Sequence, residues 1–274
     1  MKSSPPLPRL SAPAELIDTH CHLDMDAYAQ DLDAVIDSAH THGVKRIITI
    51  GIDVPSSEAA VQLTRNYSNI YATVGIHPHD AQTATTEALE RLSELAEHEK
   101  VVGFGEIGLD YFKNYAPHEV QIQAFTRQLE LAKELALPVV IHDRDAHEDT
   151  LRLLKAAGPF AHRGVMHCFS GDSELARKTL DLGFYISIPG VATFANAQLL
   201  REVIAAVELN ALLVETDGPF LAPVPFRGKR NEPKLMLYTA QMIAEIKNIS
   251  LEEVAAATTA NAVNLFNLPE TIDD

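Results

Sequence analysis

His20, His22, Glu106, His142, His167 and Asp217 are the residues with which this chain could do chemistry. Imidazoles and carboxylates together form the usual ligand set of divalent transition metals, and a carboxylate beside a cation can also take a proton from water. In Asp18-Thr-His20-Cys-His22 the two histidines are separated by one residue. On an extended strand that spacing turns both to one side, where they can share a cation, and turns Cys21 away as a small buried residue. Cys168 is read in the same way. Glu106 lies between Gly105 and Gly108, so a carboxylate able to bridge two cations falls where the backbone admits a close neighbour. Asp110, further along that segment, reads as a loop or helix-capping acid. His142 and His167 each end an apolar run. One such histidine alone would be structural; two on neighbouring strands point to a second cation. Asp217 can bind metal and accept a proton, and Glu215, with the same strand phase, suits a hydrogen-bonding partner behind a ligating histidine.

Other residues suit a substrate better than a metal. In His77-Pro-His79 the second histidine stands beyond a strand and behind a proline, so the pair is read as facing substrate. Arg144, two residues after His142, could hold an anionic oxygen or form a rim salt bridge. Arg227, Lys229 and Arg230 put three cations in four residues just past Asp217, which suits a solvated loop or a phosphate clamp. His40 and His42 suit a helix C-terminus, and with His98, His118, His147 and His162 they are assigned no function.

Short apolar runs must position these residues. The runs are 16–20, 44–51, 70–76, 101–107, 138–142, 164–168, 184–188 and 212–216, several of them apolar on consecutive positions as strands covered on both faces are. Helical spacing fills the intervals at 27–42, 56–67, 85–99, 117–135, 146–157, 173–182 and 196–207, and returns at 233–247 and 251–265. The order predicts an α/β protein, a single-domain (β/α)₈ TIM barrel over 15–274, preceded by a flexible Pro-rich tail over 1–14. An open doubly wound sheet is the alternative. It loses support because no Gly-x-Gly-x-x-Gly follows the first run and no P-loop motif occurs. In a barrel, the ends of the strands at which His20, His22, Glu106, His142, His167 and Asp217 fall are where active sites are built.

With 274 residues, 46% of them hydrophobic, the chain needs neither disulfide nor structural metal to hold its core, so a metal would serve chemistry. The net charge of −16 argues against broad coating of nucleic acid or anionic membrane and leaves room for a local basic site. Two separated cysteines, a start without an apolar leader and the lack of an 18-residue apolar stretch predict a cytoplasmic protein without membrane insertion.

The motifs Asp-Thr-His-Cys-His-Leu-Asp, Gly-Ile-His-Pro-His, Gly-Glu-Ile-Gly-Leu-Asp, Ile-His-x-Arg, His-Cys-Phe-Ser-Gly, Glu-Thr-Asp-x-Pro and Arg-Gly-Lys-Arg-Asn-Glu-Pro occur in this order. The set resembles the TatD-type metal-dependent deoxyribonucleases, from residue 17 to about residue 265. The resemblance implies two divalent cations (Zn, Mn or Mg), one on His20, His22, Glu106 and Asp217 and the other on Glu106, His142 and His167. It implies hydrolysis of DNA phosphodiesters, on single strands or at 3′ ends, in the 3′-to-5′ direction. Asp217 and Glu106 would be catalytic, and His77, His79, Arg144, Arg227, Lys229 and Arg230 would hold phosphates. No obligate protein partner is implied. The same metal site could instead act on a phosphotriester, a cyclic amide or a D-aminoacyl-tRNA, or the barrel could bind without turnover.

Overall fold

The computed structural model describes residues 6–270, so residues 1–5 of the expected tail lie outside the described residues. Leu7, Leu10 and Ala14, within the remainder of that segment, pack against the core. Eight parallel strands follow one another around a single sheet in sequence order. They are β1 (Leu16–Cys21), β2 (Val44–Ile50), β3 (Ile70–Val74), β4 (Val101–Asp110), β5 (Val139–Arg144), β6 (Gly164–Met166), β7 (Tyr185–Ile188) and β8 (Leu212–Val214). Helices α1 (Leu32–Thr41), α2 (Val54–Asn66), α3 (Thr86–Ala96), α4 (His118–Glu134), α5 (His147–Ala157), α6 (Ser173–Asp181) and α7 (Gln198–Ala206) return the chain between them. Two more, α8 (Met236–Lys247) and α9 (Leu251–Phe266), follow β8. This is the expected (β/α)₈ barrel, folded as one domain.

Strand alternation divides the apolar residues into two layers. One set, including Leu16, Ile47, Ala72, Phe104, Ile141, Ile186 and Leu212, packs outward under the helices. The other fills the lumen: Ile17, Ile48, Tyr71, Val102, Val140, Val165, Tyr185 and Leu213, one from each strand, meet Leu265 and Phe266 of α9. Two residues further along, the lumen positions become polar: Thr19, Thr73, His142, His167, Ser187 and Glu215 are all next in phase. The floor of the barrel is therefore a packed apolar plug, and the chemistry begins one layer above it.

The seam between β1 and β8 is closed by a side chain as well as by backbone. The Asp18 carboxylate accepts hydrogen bonds from the Thr216 amide (2.9 Å) and the Thr216 hydroxyl (2.6 Å). The Asp217 amide donates to the His20 carbonyl (2.8 Å) and the His22 amide to the Gly218 carbonyl (2.7 Å). Burial pushes the Asp18 carboxyl up to about 7 against the pull of those hydrogen bonds.

Element boundaries differ from the sequence reading at two places that matter. Helix α1 starts at Leu32 and not at residue 27, because the preceding residues form turns around the buried Tyr28, whose hydroxyl donates to the Asn231 carbonyl (2.7 Å). Strand β4 runs past residue 107 to Asp110. Its register against β5 shifts between Phe104 and Ile107, which pair with Val139 and Ile141. One extra residue in β4 is a β-bulge, a device that re-aims a side chain, and Glu106 sits in it. Glycine is required on both sides: a Cβ on Gly105 would lie 2.5 Å from the Val140 carbonyl oxygen, and one on Gly108 would lie 2.0 Å from that of His142. A matching shift in β1, between Asp18 and Cys21, accompanies His20.

Candidate metal centre

Glu106 is the hub of the site, and its two oxygens face different partners. Oε2 lies 3.2 Å from His20 Nε2 and 3.9 Å from His22 Nε2. These imidazole nitrogens stand 3.8 Å and 3.4 Å from Asp217 Oδ1. Oε1 lies 2.7 Å from both His142 Nδ1 and His167 Nε2, which are 3.4 Å from each other. Ligand atoms bound to one cation at about 2.1 Å stand roughly 3 to 3.5 Å apart, and the distances in the two groups, 2.7 to 3.9 Å, bracket that spacing. The structure thus brings together all six residues singled out for metal binding.

Which imidazole nitrogen is free for a cation follows from the groups behind each ring. Asp110 Oδ2 accepts from His142 Nε2 (3.1 Å), leaving Nδ1 aimed at Glu106. Glu215 Oε1 lies 3.5 Å from His167 Nδ1 and accepts from the Cys168 amide (2.7 Å), leaving His167 Nε2 aimed at Glu106. Glu215 thus stands where the phase of β8 put it. Asp110 does more than hold loop amides: its Oδ1 accepts from the Phe112 and Lys113 amides (3.0 and 2.7 Å), while its Oδ2 also accepts from His79 Nε2 (3.0 Å). The capping role read from the sequence was therefore incomplete.

His77 Nε2 lies 3.4 Å from Glu106 Oε1, close enough to be counted with the ligands. Its Nδ1, however, accepts the His79 backbone amide (3.1 Å), which places the proton on Nε2 and makes that atom a donor. Burial lowers the His77 imidazole to about 4, so it is neutral at pH 7. His77 accordingly suits an oxygen of substrate or of Glu106 better than a cation.

The electrostatics match a site awaiting positive charge. Burial opposes ionisation of Glu106, but His167, His77 and His20 and the hydrogen bond from His142 outweigh it and hold the carboxyl well below the usual range. Asp217 is lowered as well, against burial, by His22 and His20. His167 is raised well above the ordinary imidazole range, because Glu106 and Glu215 overcome its burial. Protons here stand in for cations. Both nitrogens of His20 and the Nδ1 atoms of His22 and His167 are buried with no hydrogen-bond partner among the described residues, and such groups are costly unless something else binds them. The donor set fits divalent cations, and of these orphaned atoms it is His20 Nε2 that faces the Glu106 and Asp217 carboxylates. His20, His22 and Asp217 are one of the groups whose ligand atoms converge closely enough to hold one.

A cavity of about 680 Å³ opens over these residues at the C-terminal ends of the strands. Its described lining includes His22, His77, His79, Glu106, His142, His167 and Asp217, with two cations, Lys113 and Arg144. Lys113 was not singled out from the sequence. Cys21 points away, its Sγ 3.6 Å from the Gly218 carbonyl. Cys168 differs from its expected place as a buried filler: with φ of 43° it is half-buried and lines the cavity. Of the basic segment, Arg227 lays its guanidinium over Phe194 at 4.5 Å and Lys229 its ammonium over Phe226 at 5.7 Å. Arg230 is engaged elsewhere, bonded to both Asp31 oxygens (2.7 Å each), to Glu232 (2.9 Å) and to the Ala27 carbonyl (2.7 Å). In this structure it ties the loop after β8 to the loop after β1.

Comparisons with known proteins give the chain's relatives. A family model described as "TatD related DNase" matches residues 17–267. A Bacillus subtilis protein called "Uncharacterized metal-dependent hydrolase YabD" is 46% identical over 253 residues, 92% of this chain and 99% of that protein. The "3'-5' ssDNA/RNA exonuclease TatD" of Erwinia amylovora is 36% identical over 259 residues, 92% of this chain and 100% of that protein. Among solved structures, the TatD homologue YJJV of Escherichia coli superposes with a TM-score of 0.88 at 34% identity, covering 93% of this chain and 98% of that one.

Proposed function

This chain belongs to the TatD-related family of metal-dependent hydrolases, and from that premise we propose that it hydrolyses phosphodiester bonds of DNA strands from the 3′ end with two divalent cations. The division of Glu106 between two groups of ligands carries the reading, because one carboxylate presenting each oxygen to a separate histidine cluster is what a bridged pair requires. His20, His22, Glu106 and Asp217 would hold one cation, and Glu106, His142 and His167 the other. Zinc or manganese suits this nitrogen-rich set better than magnesium. When bound, such cations lower the pKa of a water and offset charge on a phosphoryl oxygen.

The chain's own residues do the rest. Asp217, its side chain 14% exposed at the cavity, accepts the proton of the attacking water as oxygen adds to phosphorus; the bond to the leaving sugar oxygen breaks, and that oxygen takes a proton from solvent water to leave as a hydroxyl. His77 donates from Nε2 to a phosphoryl oxygen. Arg144 and Lys113 at the rim neutralise neighbouring phosphates, and Arg227 and Lys229 would meet phosphates further along the strand. His79 acts through Asp110, which fixes the His142 ring. The name of the Erwinia relative supports both the direction and an unpaired strand, and it includes RNA among the substrates to compare.

The test is product analysis. Protein stripped by chelator and reloaded separately with Zn²⁺, Mn²⁺ or Mg²⁺ is given single strands labelled at either end, and release of mononucleotides from the 3′ end is expected. Turnover of a phosphotriester, a cyclic amide or a D-aminoacyl-tRNA, with DNA untouched under every metal, would overturn the proposal.

A further inference from the structure

Three aromatic side chains stand out by exposure: Phe112 (55%), Tyr115 (64%) and Phe220 (48%). Isolated exposed rings need no explanation, but rings gathered about a concave site mark ligand binding. Phe112 and Tyr115 follow β4, and Phe220 follows β8. In a barrel whose strands run in order from β1 to β8, these two strands oppose one another across the axis, so the loops that carry the rings leave it on opposite sides; Phe220 lines the cavity, and Phe112 and Tyr115 adjoin its lining residues Arg144 and His79.

Each wall is continuous with the histidine cluster. Tyr115 meets His79 edge to face with centroids 4.7 Å apart, and Phe220 meets His22 in the same way at 6.1 Å. The Arg144 guanidinium lies 3.9 Å from the Phe112 ring centroid, so a cation and an aromatic face adjoin at the rim. The loop that presents Phe112 and Tyr115 is held in place: Asp110 accepts the Phe112 and Lys113 amides, and Gln121 of α4 bonds the Asp110 amide and carbonyl and the Ala116 carbonyl. A loop backbone held before the ligand arrives loses little freedom on binding it.

We propose that Phe112 and Tyr115 on one wall and Phe220 on the other stack the nucleobases flanking the scissile phosphate. Arg144 and Lys113 take the adjoining phosphates. Aromatic faces interleaved with cations bind single strands with little regard to sequence, since every base offers a π-face. A paired base has its faces covered by its neighbours in the stack and cannot enter between the walls. The consequence is selection for the presence of a base near the cut and not for its identity. The proposal rests on the phosphodiester reading above.

The experiment compares kcat/KM of the metal-loaded enzyme for a single strand and for the same strand made abasic at its last two nucleotides. Wild type is expected to prefer the intact strand by at least about fivefold per stacked base. Phe112→Ala, Tyr115→Ala and Phe220→Ala should each reduce that preference by a similar factor. Tyr115→Phe should retain it, and so should Leu199→Ala, an exposed apolar residue on α7 (61%) chosen as control. Quenching of 2-aminopurine at the end of a strand whose last linkage is an uncleavable phosphonate reads stacking apart from turnover, and the three alanine changes combined should abolish it. Equal cleavage of intact and abasic strands by wild type, or unchanged preference in all three alanine variants, overturns the proposal. Failure to cleave either strand under any metal overturns the phosphodiester reading, and this inference with it.

Discussion

Asp110→Asn replaces one oxygen with a nitrogen and should weaken one of the two proposed cation sites without touching the other. Asp110 Oδ1 accepts the Phe112 and Lys113 amides, so the asparagine carbonyl must stay on that side. Its NH₂ then faces His142 Nε2 and His79 Nε2, at 3.1 and 3.0 Å from the present oxygen. A donor facing a donor forces His142 to change tautomer, and the proton moves to Nδ1, the atom 2.7 Å from Glu106 Oε1 that a cation needs unprotonated. Removing the partner behind a metal-binding histidine typically costs 10- to 100-fold in affinity. That is about 1.4 to 2.7 kcal/mol. Titration of stripped protein with Zn²⁺ against a competing chelator should show one binding step weakened by that factor and one, on His20, His22 and Asp217, unchanged. Two unchanged steps would refute the tautomer argument. Equal weakening of both would mean that Asp110 supports the site as a whole and not the His142 ring.

Cys21→Ser should keep its metal and its activity within a few-fold while His22→Ala loses both, which elemental analysis beside the nuclease assay decides; metal loss in the serine variant would overturn the orientation of β1. Asp217→Asn should lower kcat at least roughly 10²-fold, and near-normal kcat would move the proton acceptor elsewhere, with Glu106 the next candidate. His22, His142 and His167 are raised above the ordinary value of 6.5 although burial opposes their protons, because Asp217, Asp110 with Glu106, and Glu106 with Glu215 respectively outweigh it. Metal uptake near neutral pH should therefore release protons into a dye-containing weak buffer, with affinity rising as pH rises. The stability those protonated pairs give the metal-free protein is fully present below about 6.5 and is lost as pH climbs through their raised values, so its Tm should fall across that window. Replacing Arg227 and Lys229 by Ala should flatten the log-log salt dependence of strand binding by about 0.7 for each phosphate no longer neutralised, whereas Arg230→Ala should lower thermal stability slightly and leave the slope alone.

The barrel was legible because strands covered on both faces read as consecutive apolar residues, and because lumen phase carries across from core to site. Val140 to His142, Val165 to His167 and Leu213 through Glu215 to Asp217 each advance by two, so the polar layer can be counted from the apolar one. Residues that depend on register between strands were not legible. The bulge that aims Glu106 shows in the sequence only as its flanking glycines, since the extra residue exists only relative to β5. Asp110 reaches His142 because Gly108 pairs with His142 across β4 and β5, an alignment that no local pattern encodes. Arg230 pairs with Asp31, 199 residues away, a partner that no local pattern shows. The start of α1 was misplaced for a related reason: Tyr28 is tethered to Asn231, a contact from the other end of the chain.

A net charge of −16 and a polyanionic substrate are compatible if affinity comes from few phosphates and several base faces. Attraction that depended on a broad positive surface would need many cations in one field, and only Lys113 and Arg144 line the described cavity. Stacking on Phe112, Tyr115 and Phe220 needs no net charge and is insensitive to the acidic exterior. The acidic remainder then acts against binding anywhere except the mouth, where bound cations, the two rim cations and the imidazoles locally reverse the field. A duplex, with its bases stacked on one another and a denser line of phosphates, meets the repulsion without the compensating rings. Charge and aromatic placement therefore favour the same substrate from opposite directions, one by exclusion and the other by contact.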